Sequence, residues 1–277
     1  GGANFDGEMG LEHFRAFPFI DHVVVGEGEV TFPALVEQVL TGQPVADIKG
    51  VTYREQGKIR FEPNTALFTD FAKTGPPDYD DYYHLLAELG TEASRGLDRI
   101  LLYEGSRGCW WGERSHCTFC GLNDLTLGYR VMSPERAIAQ FEHLFTYADR
   151  VSHLEGLDVI VPRNYMKDVL PYIETPATMT IFYEAKSSIS EEDIKTLAKA
   201  RVKIIQPGVE SLATSTLKLM RKGSTAFQNI TLLKNCALYD VYPTWNMLVG
   251  FPGELEEVYQ KYMVDLPLLV HLPPPSG

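Results

Sequence analysis

The stretch Glu104–Asn123, EGSRGCWWGERSHCTFCGLN, decides how the rest of the chain is read. It sets Cys109, Cys117 and Cys120, three of the four cysteines, at a C-x7-C-x2-C spacing. Around them stand Gly105, Gly108, Gly112 and Gly121 and the bulky Trp110, Trp111 and Phe119. A closed structural zinc site takes four ligands, and the fourth would be His116, poorly placed beside Cys117, or the distant Cys236. A 4Fe-4S cubane takes one thiolate per iron, so three thiolates leave one iron open to a substrate. Glycines let backbone wrap closely round such a group, and the aromatics would shield it from water. The spacing favours a three-cysteine 4Fe-4S cluster, with zinc, a dithiol pair or bland cysteines as the alternatives.

Outward from this loop, strands and helices alternate. Arg99–Tyr103 reads as a strand leading into it, and further strands are expected at Val151–Val161, Met179–Ala185, Val202–Gln206 and Thr244–Gly250. Helices fill the gaps: one opened by Ser133 with Pro134 behind it, one at 165–173, one opened by Ser190-Glu191-Glu192-Asp193, then 214–220, 226–239 and 254–269. Repeated β-α units predict a parallel sheet curling towards a barrel, with the active site at the C-terminal strand ends. The fold class is α/β, with a five-stranded partial barrel over residues 98–277.

Residues 1–45 read as the end of a doubly wound α/β domain, with a helix at 8–17, a buried strand at 20–25 and a helix at 31–40. Its turns GGAN and GEGE fall where such a domain would bind a ligand, although they read equally as plain turns. Residues 46–97 read as a connector with a β-hairpin around Gln56-Gly57 and an acidic aromatic run, DYDDYYHLL, expected to be solvated or to start a helix. Cys236, among Leu232, Leu233 and Leu238, reads as a core thiol.

The 277 residues are enough for one large domain or two modest ones. With 44% hydrophobic and 22% charged residues the composition is globular. A net charge of −12 argues against a general nucleic-acid binder. Three cysteines in one motif do not make a disulfide framework, which points to a reducing, cytoplasmic setting, and no signal peptide or membrane-length apolar run is expected. The chain starts Gly-Gly without methionine and stops at Pro-Pro-Pro-Ser-Gly, so both ends read as cut.

The loop, with its CWWG and HCTFCGLN, resembles that of radical S-adenosylmethionine (SAM) enzymes. It is most similar to cobalamin-dependent members that mature ribosomally synthesised peptides (RiPPs), largely as C-methyltransferases. The superfamily's usual spacing is C-x3-C-x2-C, and the wider first gap matches the subgroup. FYEAK (182–186), IIQPGVESL (204–212), LMRKG (219–223), WNMLVGFPGE (245–254) and HLPPPSG (271–277) fit in the same order, so the resemblance covers nearly the whole chain.

The resemblance implies a 4Fe-4S cluster on Cys109, Cys117 and Cys120, with SAM chelating the open iron. It places Phe119, Gly121, Glu184, Lys186, Gln206, Glu210, Asn246, Leu248 and Gly250 at SAM. Glu184 and Lys186 share one strand face, where a carboxylate could take a ribose hydroxyl or amino group and a lysine the methionyl carboxylate. The plainer readings are an ion pair at a strand end, a helix cap at Gln206 and Glu210, and a core strand at 246–250. Gly2, Ala3, Asn4, Gly26, Glu27 and Gly28 would approach cobalamin. The D-x-H-x-x-G motif of many cobalamin domains is absent, so this chain alone is not expected to hold it. The family's barrel has six strands, so the last is expected to be missing.

The implied chemistry is reductive cleavage of SAM, hydrogen abstraction by the 5′-deoxyadenosyl radical and, in the cobalamin subgroup, methyl transfer to a peptide carbon. The implied partners are a peptide substrate and a reductant such as flavodoxin or ferredoxin, with no nucleic acid and no membrane. The alternatives are a non-methylating radical SAM epimerase or cyclase, and a zinc-stabilised binding module without enzymatic activity.

Overall fold

The structure, a computed structural model, describes residues 3–93, 100–122 and 127–276. Among these the chain divides into two compact units, one built on residues 3–74 with 127–128 and the other on 75–93, 100–122 and 129–276.

In the first unit a single 3-10 turn, Ala3–Phe5, precedes helix α1, Gly7–Ala16, whose N-cap Asp6 accepts from the amide of Gly7. Strand β1, Val23–Val24, is followed by helix α2, Gly28–Leu40, and by the hairpin β2, Val51–Glu55, and β3, Lys58–Arg60. The hairpin turn has positive φ at both Gln56 (49°) and Gly57 (74°), the geometry that matches the twist of two antiparallel strands. β1 pairs antiparallel with β2, Val23 opposite Thr52. The strand expected at 20–25 is thus two residues long and lies in a three-stranded antiparallel sheet. Phe14, Val23 and Val25 form its buried core with Phe5, Leu11, Ile20 and Phe61 around them. Arg54 lies 4.0 Å over the Phe14 ring and donates to the carbonyls of Phe14 and Ile20.

The second unit opens with helix α3, Asp80–Ala93, broken at Gly90, where φ is 78°; DYDDYYHLL is therefore a helix start. Strand β4, Ile100–Tyr103, leads into the cysteine loop, and a short antiparallel pair, β5 (Ser106–Arg107) and β6 (Arg130–Val131), closes the loop's base. Helix α4, Pro134–Phe145, is capped by the Ser133 hydroxyl accepting from Arg136 N, with proline at its first turn. β7, His153–Gly156, α5, Tyr165–Asp168, and β8, Thr180–Lys186, follow. Helix α6, Glu191–Lys199, starts with a full capping box between Ser190 and Asp193. The chain continues through β9, Val202–Gly208, α7, Thr214–Leu219, α8, Ala226–Leu238, β10, Tyr242–Pro243, and α9, Glu256–Asp265.

β4, β7, β8, β9 and β10 form one parallel sheet in chain order. One face is dry: Leu101, Tyr103, Leu154, Ile181, Tyr183 and Ile205 are buried together with Phe141, Leu144, Ile194 and Leu232 from the helices. Tyr103 stacks on Phe141 with centroids 4.2 Å apart. Each such side chain contributes roughly 2–3 kcal/mol by leaving water. The other face carries Leu102, Glu155, Phe182, Glu184 and Gln206, none of them buried. At the β4 edge the Tyr79 hydroxyl donates to Leu102 O (2.9 Å) and accepts from Leu102 N (3.1 Å), occupying both outward groups of that residue.

Two expected strands come out shorter. The one placed at 151–161 ends at Gly156, because the chain turns there and carries Asp158 into the protein interior. The one placed at 244–250 is instead the two-residue β10. Beyond it the backbone stays beside β9 through Thr244 N to Ile205 O (2.8 Å) and a bridge of Met247 to Glu210. The ladder goes no further as a regular strand because the chain leaving β9 turns at Glu210, where φ is +58°. No helix among the described residues is long and apolar enough to cross a membrane.

Candidate active site

The C-terminal ends of β8 and β9, the cysteine loop and the 219–223 turn surround one cavity of about 200 Å³. Cys109, Cys117 and Cys120 all line it, with Glu184 and Lys186 of β8, Gln206 of β9, Glu210 and Lys222. The alternation along β8 is what brings Glu184 and Lys186 to one wall.

The loop is sewn to the LMRKG turn. Thr118 donates from its amide to Met220 O and from its hydroxyl to Leu219 O, both at 3.1 Å, and Trp111 Nε1 donates to Arg221 O at 3.3 Å. Gly223, with φ of +67°, fits because a Cβ there would run into the Trp111 ring. Inside the loop Gly108 takes a φ of +75°, and Gly112 N lies 3.3 Å from Cys109 Sγ.

Lys186 is 5% exposed. Its ammonium donates to Lys222 O and lies 3.9 Å over the Trp111 ring. Burial and then the neighbouring Lys222 push its pKa down to about 8. Lys222 pairs with Glu210, Nζ to Oε1 at 2.9 Å, and sits 5.3 Å over the Phe119 ring. Burial raises the Glu184 carboxyl against the opposing pull of Lys222, and burial raises the Cys117 thiol against Lys222 and Lys186. Three thiols facing two ammoniums suit an anionic metal-sulfide group, whose coordination would hold the thiols deprotonated against burial.

The described His, Cys, Asp and Glu side chains form no group tight enough for a single metal ion. The thiols stand around a cavity instead, which fits a cubane that gives each thiolate its own iron.

Residues 103–265, more than half of the chain, match the Radical SAM superfamily. The chain belongs to the radical SAM superfamily. Its domain is one that works with a 4Fe-4S cluster and SAM, and the structural zinc clip is set aside. A sequence relative, an uncharacterized methyltransferase of Pyrococcus horikoshii, is 29% identical over 250 residues, covering 88% of this chain and 52% of the relative. The chain therefore spans about half the length of the curated relative it matches. Among solved structures, the cobalamin-dependent SAM radical enzyme OxsB with aqua-cobalamin bound aligns with a TM-score of 0.65 at 20% identity, over 86% of this chain and 34% of that one. The radical SAM methyltransferase TsrM from Kitasatospora setae, solved with cobalamin and a [4Fe-4S] cluster, aligns with a TM-score of 0.64 at 17% identity, over 92% and 52%. These two likenesses are of fold.

Of the residues expected at SAM, Phe119, Glu184, Lys186, Gln206 and Glu210 line the radical SAM cavity, whereas Gly121, Asn246, Leu248 and Gly250 do not. Leu248 N donates to Glu210 O at 2.9 Å, so the 246–250 stretch lies behind the Glu210 turn. Of the residues expected at cobalamin, Gly26 and Glu27 line a second cavity, of about 190 Å³, in the first unit with Asp6, Asn64 and Leu67. Asn4 and Gly28 do not line it. Gly2 lies outside the described residues.

Lys222 is the cavity residue that sequence reasoning left without a role. Its signal was its place inside LMRKG. Asn229 had none: it is fully buried in α8 and donates to Val209 O (2.9 Å) and Ser211 O (2.8 Å), on either side of Glu210. A left-handed φ at a non-glycine residue persists only when its surroundings enforce it, and Asn229 supplies that enforcement.

Proposed function

We propose that this chain is the radical SAM core of a cobalamin-dependent C-methyltransferase that acts on a ribosomally made peptide in the cytoplasm, with a flavodoxin- or ferredoxin-type reductant. The observation that carries this reading is the single cavity at parallel strand ends that collects three thiols, two lysines and two glutamates. When bound, the cluster and SAM supply the reductive cleavage that yields a carbon-abstracting radical. Cys109, Cys117 and Cys120 hold the cluster. Lys186 and Lys222 offer ammonium groups to the methionyl carboxylate, while Glu184, Gln206 and Glu210 offer acceptors to its amino group and the ribose. Trp111 and Phe119 keep water from the wall they cover. The methylating outcome is supported by the methyltransferase relative, and cobalamin by the OxsB and TsrM likenesses. Gly26 and Glu27, on the cavity of the first unit, are the residues that would meet it.

The test is anaerobic reconstitution of wild-type protein and a Cys117→Ala variant. About four irons and four sulfides per chain with broad visible absorption, lost in the variant, are expected, followed by 5′-deoxyadenosine formation from SAM. Stoichiometric zinc without iron would overturn the reading. With peptide and cobalamin, a product heavier by one methylene supports methylation, and an epimerised or cyclised product of no greater mass refutes it.

A further inference from the structure

Just beyond β7, Asp158 is fully buried and takes no part in the cavity wall. Its two carboxylate oxygens are both used at the root of the cysteine loop. Oδ2 accepts from Gly105 N at 3.2 Å and Oδ1 from the Ser106 hydroxyl.

The carbonyl of Gly105 is held as well. Gly105 O accepts from Met132 N at 2.8 Å and from the Tyr165 hydroxyl at 3.3 Å. Tyr165 meets the Tyr103 hydroxyl at 3.2 Å, and a Cβ on Gly105 would lie 2.5 Å from the Tyr165 oxygen. One residue earlier, Leu157 N donates to Tyr103 O at 2.7 Å. The chain therefore leaves β4 with Gly105 and Ser106 clamped, three residues before Cys109. A rotation at Ser106 would swing Cys109 about the root of the loop.

A carboxyl group is a costly choice for an interior site, because burial opposes its charge. Burial lifts its pKa to about 7, against the two bonds that lower it. An asparagine would fill the same volume without that cost, yet it has one acceptor oxygen where this loop root needs two.

We propose that Asp158 is a positioning residue which, through Gly105 N and the Ser106 hydroxyl, sets the direction in which the cysteine loop presents Cys109 relative to Cys117 and Cys120. This rests on reading the loop as the cluster-binding loop. Asp158 acts through the loop's backbone and does not touch the cluster.

The experiment compares wild type with Asp158→Asn and Ser106→Ala as iron-free, reduced protein. Alkylation of each thiol by iodoacetamide is followed by peptide mass spectrometry. Cys236, buried in α8 with its pKa pushed up to about 12, reports global unfolding. In Asp158→Asn the reactivity of Cys109 relative to Cys117 and Cys120 should change by about threefold or more while Cys236 stays protected. Ser106→Ala, which removes one of the two bonds, should move the ratio the same way by less. Unchanged ratios with Cys236 protected would overturn the proposal. Should Asp158→Asn expose Cys236, the Ser106→Ala ratio decides alone. After iron loading, Asp158→Asn should shift the g values of the reduced cluster at wild-type iron content. A wild type that binds no iron refutes the cluster reading, while the thiol ratios still decide the positioning role.

Discussion

Lys222 Nζ lies 2.9 Å from Glu210 Oε1 in a pair whose side chains are only 13% and 17% exposed. Glu210 is also the one residue of its turn with a left-handed φ. A strained backbone and an ion pair thus coincide at the cavity wall.

Removing either partner alone leaves a charge with little water around it. Lys222→Met should cost about 1–3 kcal/mol in a urea titration. The double variant Lys222→Met/Glu210→Gln should recover much of that loss, because neither charge is then stranded. A double variant that loses the sum of the two single losses would show that the residues do not interact.

Asn229→Asp keeps the size of the side chain and removes both donated hydrogens. It should destabilise the protein by about 2–4 kcal/mol, since Val209 O and Ser211 O lose their buried donor and meet a buried carboxylate instead. SAM affinity, read by equilibrium dialysis, should fall with it because Glu210 is no longer held. A variant of wild-type stability and affinity would refute the bracketing role.

Gly223→Ala and Gly121→Ala make a matched pair. The first puts a methyl into the Trp111 ring at a φ of +67° and should cost about 1–3 kcal/mol, with a shift in tryptophan emission. The second meets nothing within 4 Å and should stay within about 0.5 kcal/mol of wild type.

The pH dependence of stability carries a signature of Asp158. Its pKa is about 7 in the fold against an ordinary 3.8, so the native state holds the proton more tightly than the unfolded chain. Its contribution is fully present below pH 3.8 and is lost as pH rises through about 7. The groups facing it are Glu104 and the tyrosines 103, 129, 165 and 183. Burial raises all four phenols, so they stay neutral across this window. Relative to Asp158→Asn, wild type should lose on the order of a few kcal/mol between about pH 4 and 8. Parallel urea midpoints would refute the assignment.

Local signals were legible in the sequence because their partners lie within a turn. Ser133 and Ser190 cap the helices they were expected to open, and Gln56-Gly57 makes the expected hairpin. The collection of Cys109, Glu184, Lys186, Gln206 and Glu210 at one end of the sheet followed from the β-α alternation, since parallel strands put all their C-terminal ends together. The residues that escaped reading act across long separations. Asp158 reaches back to Gly105, Lys222 to the Phe119 ring, and Asn229 to the two carbonyls beside Glu210. Nothing in the neighbourhoods of Asp158 and Asn229 distinguishes them from surface or core residues, and Lys222 is marked only by its place inside LMRKG. Thr244–Gly250 misled for another reason: its apolar pattern suits a strand, but the left-handed turn at Glu210 interrupts the ladder it would have joined.

The Tyr79 phenol on Leu102 blunts the outer edge of the parallel sheet. An unpaired strand edge is a template for another chain, and at β4 the outward amide and carbonyl of Leu102 are already occupied by one oxygen. A further strand, whether from this protein or a stray neighbour, is disfavoured on that side, and at the opposite edge Pro243 has no amide hydrogen to offer and Trp245 O already accepts from Ser276 N at 2.8 Å. Tyr79→Phe should reopen the β4 edge, and edge-to-edge self-association in light scattering would be its visible result.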